Sequence, residues 1–290
     1  LDASVPQDAV VWPQAQDFTP ATVALSEDSS SAILSLIAKA QTPVLVAPPR
    51  FAGRAGRAML AQLEAALGIP SAIIESPRGF KDATLGAFSE VARRADLMVL
   101  LGKALDFTLN FGAPPVNPDC RFVAIDPDGG ILEREARELG DRLAFACVAD
   151  TLPAAHTLVQ FAARRDTGWL SEARALTHQR PTSWAQLSSR SADKLQPAEL
   201  FLALKPVVEQ DPDTILICDG GEFAQWGQAI LSNERRMING VTGAIGASLP
   251  MAAGARTVDQ NAPIFAVLGD GTFGFHMAEF ETAIRLRLPF

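Results

Sequence analysis

From about Ser26 to Gln160, short apolar runs alternate with stretches of helical spacing. The runs at 43–47, 71–74, 97–101, 121–125 and 143–148 lack polar alternation, the pattern of strands covered on both faces. Between them, 30–40, 55–67 and 89–95 repeat apolar residues at the period of a helix. Such alternation predicts a parallel sheet with helices on both faces, a Rossmann-like domain over 21–163. A second block starts at Gln196-Pro197-Ala198-Glu199, where Pro197 suits a first helical turn and Phe201, Leu202, Leu204 and Val208 supply an apolar stripe. Strands are predicted at 214–218 and 263–268, with a glycine-rich helix over 243–255 between them and another helix over 276–286. The fold class is therefore α/β with two parallel-sheet domains, 195–290 forming the second. Residues 1–20 lack periodicity and read as a tail, and the polar stretch 164–194 reads as a linker anchored by Trp169 and Trp184.

Composition narrows the function classes. With 290 residues, 48% of them hydrophobic and 20% charged, the chain can bury real cores. A formal net charge of -8 argues against nucleic acid or an anionic membrane as partner, so any phosphate must be held by a local site. Cys120, Cys147 and Cys218 lie far apart, without zinc or disulfide spacing, and read as buried, reduced thiols. No apolar stretch approaches the roughly 18 residues of a spanning helix, and no signal-peptide order opens the chain, so a cytoplasmic protein is expected. Leu1 does not follow a methionine and Leu288-Pro289-Phe290 reads as the opening of a strand, so the chain is expected to be an internal fragment.

The strongest chemical signal is the buried run ending in Leu268-Gly269-Asp270-Gly271-Thr272-Phe273. A turn after such a strand lies at the carboxyl edge of a parallel sheet. There, glycines let the backbone approach a phosphate, a following helix offers N–H groups, and an exposed carboxylate can take a hard cation. The same tripeptide also makes ordinary turns, so its neighbours must decide.

Gly269-Asp270-Gly271-Thr272-Phe273-Gly274-Phe275, followed by Glu279, Thr282 and Leu288-Pro289, resembles the thiamine diphosphate motif of acetolactate synthase-type enzymes. In that family the motif closes with an asparagine, a second magnesium ligand, at a position past Phe290. Asp219-Gly220-Gly221-Glu222-Phe223-Ala224-Gln225-Trp226 is similar to the family's first diphosphate loop, and Gly240-Val241-Thr242-Gly243-Ala244-Ile245-Gly246 to the stretch that bends the cofactor. The resemblance implies that Glu222 and Phe223 meet the diphosphate through their backbone, the Glu222 side chain turning away. It implies that Gly269, Asp270, Gly271 and Thr272 hold the diphosphate and that Asp270 binds Mg2+. Ile245 would be the apolar wedge between the cofactor rings, and the Gly243 carbonyl would accept from the pyrimidine amino group. These two are the candidate catalytic positions. Asp219 reads as a cap for neighbouring N–H groups, His276 as a possible phosphate donor, and His156 and His178 as ordinary surface residues.

The resemblance further implies a preceding pyrimidine-binding domain carrying the activating glutamate, and a homodimer or homotetramer with the active site between subunits. Small-molecule substrates are expected: 2-oxo acids in decarboxylation or carboligation, 2-hydroxyacyl-CoA or oxalyl-CoA thioesters in a lyase or decarboxylase reaction, or aldehydes joined at an acyloin. Some relatives bind FAD or ADP in the central domain after its first strand. Here that place reads Ala47-Pro48-Pro49-Arg50-Phe51-Ala52-Gly53, where proline offers no N–H, though Arg50 and Asp126-Pro127-Asp128 could frame a ribose. The competing class is a non-catalytic nucleotide-binding or regulatory module on the same fold.

Overall fold

The computed structural model of the chain describes residues 11–19, 21–189, 191, 193–240 and 242–290. Residues 1–10 and Pro20 of the expected tail, Arg190 of the expected linker, and Val241 of the ring-bending segment lie outside the described residues.

The first unit is built from β1 (Pro43–Ala47), β2 (Ser71–Ile73), β3 (Leu97–Leu101), β4 (Arg121–Asp126) and β5 (Leu143–Val148), all parallel in the order β2-β1-β3-β4-β5. Every residue of β1 and β3 is buried, as continuous apolar runs require. Successive side chains point to opposite faces. Leu45, Ala47, Val99 and Val123 pack against α1 (Glu27–Lys39), α2 (Arg54–Leu67) and α5 (Thr151–Gln160). Val44, Val46, Met98 and Phe122 pack against α3 (Phe88–Arg94) and α6 (Trp169–His178). A further helix, α4 (Gly129–Leu139), starts where the Asp128 carboxylate accepts from the Gly130 N–H at 2.8 Å.

Helix α6 corrects the reading of 164–194 as a plain linker. Trp169 is buried and its indole N–H donates to the Pro43 carbonyl at 2.9 Å. The Arg94 guanidinium lies over the same ring and forms a two-pronged pair with Glu172 at 2.8 and 3.0 Å. The segment is thus docked onto the first sheet. Its polar surface disguised a helix that buries only two residues, Trp169 and Ala173.

The second unit is a parallel sheet in the order β7-β6-β8, formed by β6 (Ile215–Cys218), β7 (Arg235–Ile238) and β8 (Ile264–Val267). On one face lie α7 (Pro197–Val208), opened by a capping box of Gln196 and Glu199, and α8 (Glu222–Ile230). On the other lies α9 (Ser248–Val258). Two short helices, α10 (Asp270–Phe275) and α11 (Glu279–Arg285), end the chain, with His276 between them where one helix over 276–286 is predicted. Among the described residues, no helix is long and apolar enough to cross a membrane.

The units meet along a polar seam. Glu75, just past β2 and 3% exposed, accepts from Arg57 at 2.9 Å and from Arg236 of β7 at 2.7 Å. Two residues on, Pro77 lies against Gly243, 3.3 Å from where a Cβ would stand.

Candidate functional site

Parallel pairing aligns three strand ends. Cys218 is level with Ile238 on one side and with Val267 on the other, so the chain leaves β6, β7 and β8 along one carboxyl edge. This is the edge at which open α/β sheets take ligands.

After β6, the buried Asp219 carboxylate accepts from the N–H groups of Gly220 at 2.7 Å, Gly246 at 3.1 Å and Ser248 at 2.8 Å. It is a cap, as its place beside a glycine turn suggests, but it caps two loops at once. Gly221 has φ +90 and no atom within 4 Å of a Cβ, so the turn both demands glycine and leaves open space. Glu222 opens α8 and is exposed. The Phe223 ring packs on Phe201 with centroids 4.9 Å apart.

After β7, Gly240, Gly243 and Gly246 all have positive φ. The predicted helix over 243–255 therefore begins only at Ser248, because an α-helix cannot run through Gly243 and Gly246 in that conformation. The turn leaves Ile245 41% exposed at the edge, with its Cγ2 only 2.2 Å from where a Cβ on Gly220 would sit.

After β8, no atom comes within 4 Å of a Cβ placed on Gly269 or Gly271, Asp270 is exposed, and Thr272 is buried. Nothing in the protein itself explains glycine at 269 and 271. Close approach of a ligand would. His276 reaches the loop after β7. Its Nδ1 lies 2.8 Å from the Gly246 carbonyl oxygen, an acceptor, so Nδ1–H donates there.

The structure thus brings together Glu222, Phe223, Gly243, Ile245, Gly269, Asp270, Gly271 and Thr272 on three adjoining strand ends. Among the described residues, no three His, Cys, Asp or Glu side chains cluster as a metal cage, so Asp270 can offer one carboxylate to a cation. Cys218 ends β6 beside this edge, but burial pushes its thiol up to about 12, outweighing the nearby Arg236, and it is no nucleophile. A cavity of about 830 Å3 lies at the opposite end of β6 and β7, beside Asp213 and Arg235, away from the loops after β6, β7 and β8.

The nucleotide expectation for the first sheet finds no support. Pro49–Phe51 forms a tight turn with Phe51 fully buried. The Asp126 and Asp128 carboxylates already accept from the backbone N–H groups of Asp128 and Gly130. His178 bonds the Arg174 carbonyl of its own helix, an ordinary surface role.

Residues 219–290 match the family described as thiamine pyrophosphate enzyme, C-terminal TPP binding domain. Over 294 residues the chain is 25% identical to oxalyl-CoA decarboxylase of Escherichia coli (strain K12), covering 93% of this chain and 49% of that protein. It is 26% identical to 2-hydroxyacyl-CoA lyase 2 of Xenopus laevis, covering 68% and 32%, and 27% identical to human 2-hydroxyacyl-CoA lyase 1, covering 70% and 36%. The similarity to thiamine pyrophosphate (thiamine diphosphate) enzymes is thus carried by residues 219–290, which match their C-terminal cofactor-binding domain. It spans between a third and a half of the length of these relatives.

Proposed function

We propose that the protein is a thiamine diphosphate- and magnesium-dependent enzyme that cleaves or forms a carbon–carbon bond next to a carbonyl. In this reading 21–163 is the central domain, 164–194 the connection, and 195–290 the first part of the diphosphate-binding domain. The observation that carries it is the charge of the three-loop edge. Segments 219–222, 239–247 and 268–272 contain no Lys or Arg, yet two outward carboxylates, Glu222 and Asp270. These loops offer a diphosphate no Lys or Arg of their own, which supports a divalent metal as counter-charge, with Asp270 as the carboxylate that would hold it.

The backbone N–H groups at Glu222 and Phe223 meet the diphosphate at the start of α8, where the helix dipole favours an anion. Open space at Gly221, Gly269 and Gly271 admits it, and Thr272 closes the turn. Ile245 would lie against the cofactor rings, and the Gly243 carbonyl would accept from the pyrimidine amino group. When bound, the cofactor supplies a nucleophilic carbon and an electron sink for the broken bond. The chain's own residues bind, orient and keep water from the reacting carbon.

The relatives named for oxalyl-CoA decarboxylation and 2-hydroxyacyl-CoA cleavage support an acyl-CoA thioester as substrate. Decarboxylation or carboligation of a 2-oxo acid, as in acetolactate synthase-type enzymes, is the second reading. In both the enzyme is cytoplasmic and a homodimer or homotetramer with its site between subunits. Asp270→Ala in the full-length protein is expected to abolish magnesium-dependent thiamine diphosphate binding, and unchanged binding by calorimetry overturns the assignment. Product assays with pyruvate, an acyl-CoA panel and benzoin decide the substrate.

A further inference from the structure

Gly246, the residue after Ile245, is fixed from two sides by loops that belong to different strands. Its N–H donates to the Asp219 carboxylate at 3.1 Å, and its carbonyl accepts from His276 Nδ1–H at 2.8 Å. Its φ is +103, and a Cβ there would stand 2.6 Å from Phe275 Cβ and 2.9 Å from His276 Nδ1. The glycine is needed because His276 and Phe275 press so closely on it. One residue back, Ile245 leans on Gly220 of the loop after β6.

We propose that His276 is a positioning residue: by holding the Gly246 carbonyl it ties the loop after β8 to the turn that carries Ile245, and so sets the wedge against the cofactor rings. The inference rests on the thiamine diphosphate reading above. His276 touches neither ring nor phosphate in this role. Its consequence is specific: the diphosphate contacts at 221–223 and 269–272 do not run through His276, so losing its bond weakens the grip on the rings and spares the grip on the diphosphate.

Three proteins separate these effects in titrations of thiamine diphosphate and of inorganic diphosphate, each with magnesium. His276→Phe keeps a flat ring and loses the donor. His276→Asn loses the ring and keeps a donor nitrogen at the same distance from the backbone as Nδ1. One hydrogen bond corresponds to a roughly two- to ten-fold change in Kd. The Phe variant is expected to bind thiamine diphosphate weaker by that factor, with the Kd for inorganic diphosphate unchanged, and the Asn variant to return to the parent value. Equal weakening toward both ligands overturns the positioning role, as does an unchanged Phe variant or an Asn variant as weak as Phe. Should the Phe variant not fold, the Asn variant decides alone: parental affinity supports the donor account and weakened affinity overturns it. A parent protein that binds no thiamine diphosphate overturns the functional reading instead, a result the variants cannot imitate.

Discussion

Replacing Glu75 with alanine removes the centre of the seam between the two units. Its carboxylate is 3% exposed and accepts from Arg57 and from both Nη2 and Nε of Arg236, the latter at 2.7 and 3.3 Å. Burial works against the Arg236 cation, but Glu75, assisted by Asp82 and Cys218, outweighs it, so the guanidinium pKa stands above its ordinary value. Arg57 is a third exposed and can turn to water, whereas Arg236, 12% exposed, cannot. Asp82 also acts on Arg236, but its own carboxyl is pushed up by burial and so balances poorly. Leaving one partner of a buried pair uncompensated costs about 3–5 kcal/mol. At roughly 2–4 °C per kcal/mol for chains of this size, the melting temperature should fall by roughly 6–20 °C. Scanning calorimetry is the suitable assay, because two units need not melt together and a single midpoint would hide a partial loss. Arg54→Ala is the control, since the Arg54–Asp213 pair crosses the same seam at 2.7 Å with both side chains 57% exposed, and such pairs contribute little. If Glu75→Ala melts no lower than Arg54→Ala, burial of the ion triad is not what joins the units.

Two further outcomes follow from the titrating groups. Burial raises Cys120 and Cys218 to about 12 and Cys147 to about 11. At pH 8 each should be thiolate to the extent of roughly one part in a thousand or less, against roughly a quarter for a free cysteine. The buried Cys120 and Cys218 should stay unlabelled by dithionitrobenzoate until the protein is denatured, while Cys147, only half-buried rather than buried as expected, should label slowly; rapid labelling of Cys120 or Cys218 in native buffer would contradict the burial argument. Asp259 is held down at about 2 by the Ala262 N–H, then by Arg235 and the Asn261 N–H. A depressed carboxylate stabilises above its ordinary 3.8 and loses that contribution as pH falls toward about 2. The gap in melting temperature between parent and Asp259→Asn should therefore close between pH 5 and pH 2, in steps of about a unit; a constant gap refutes it.

The first sheet was legible because buried parallel strands are written as uninterrupted apolar runs. The bounds of β1, β3 and β5 follow directly from Pro43–Ala47, Leu97–Leu101 and Leu143–Val148. Strand β7 was hidden, since Arg235-Arg236 opens it and Arg236 becomes tolerable in a sheet only through Glu75, 161 residues away. Helix α4 begins with Gly129-Gly130 and buries only Leu132, Glu135 and Leu139, so glycine punctuation and charge outweighed its period. At the candidate site, the glycine loops and Asp270 were legible as spaced motifs. The His276–Gly246 and Asp219–Gly246 bonds were not, because they depend on which strands stand side by side, and that order is set by packing, not by local sequence.

The first unit braces the turn after β7 from outside the second sheet. Its own strand-end crevice is taken up by prolines and self-capped aspartates, while its β2 end reaches the second unit. Glu75 fixes that end to β7 through Arg236, and β7 leads directly into the Gly240–Gly246 turn. Pro77 then abuts Gly243 on the side where any other residue would project a Cβ, and Gly243 holds a φ of +72 that other residues rarely adopt. The Gly243 carbonyl is therefore aimed by three constraints: Pro77 against its α-carbon, its own N–H donating to the Gly240 carbonyl at 3.2 Å, and Gly246 held by Asp219 and His276 three residues on. Under the proposed function this carbonyl would meet the pyrimidine amino group, and such fixing would suit it. In this chain the fixing comes from both units.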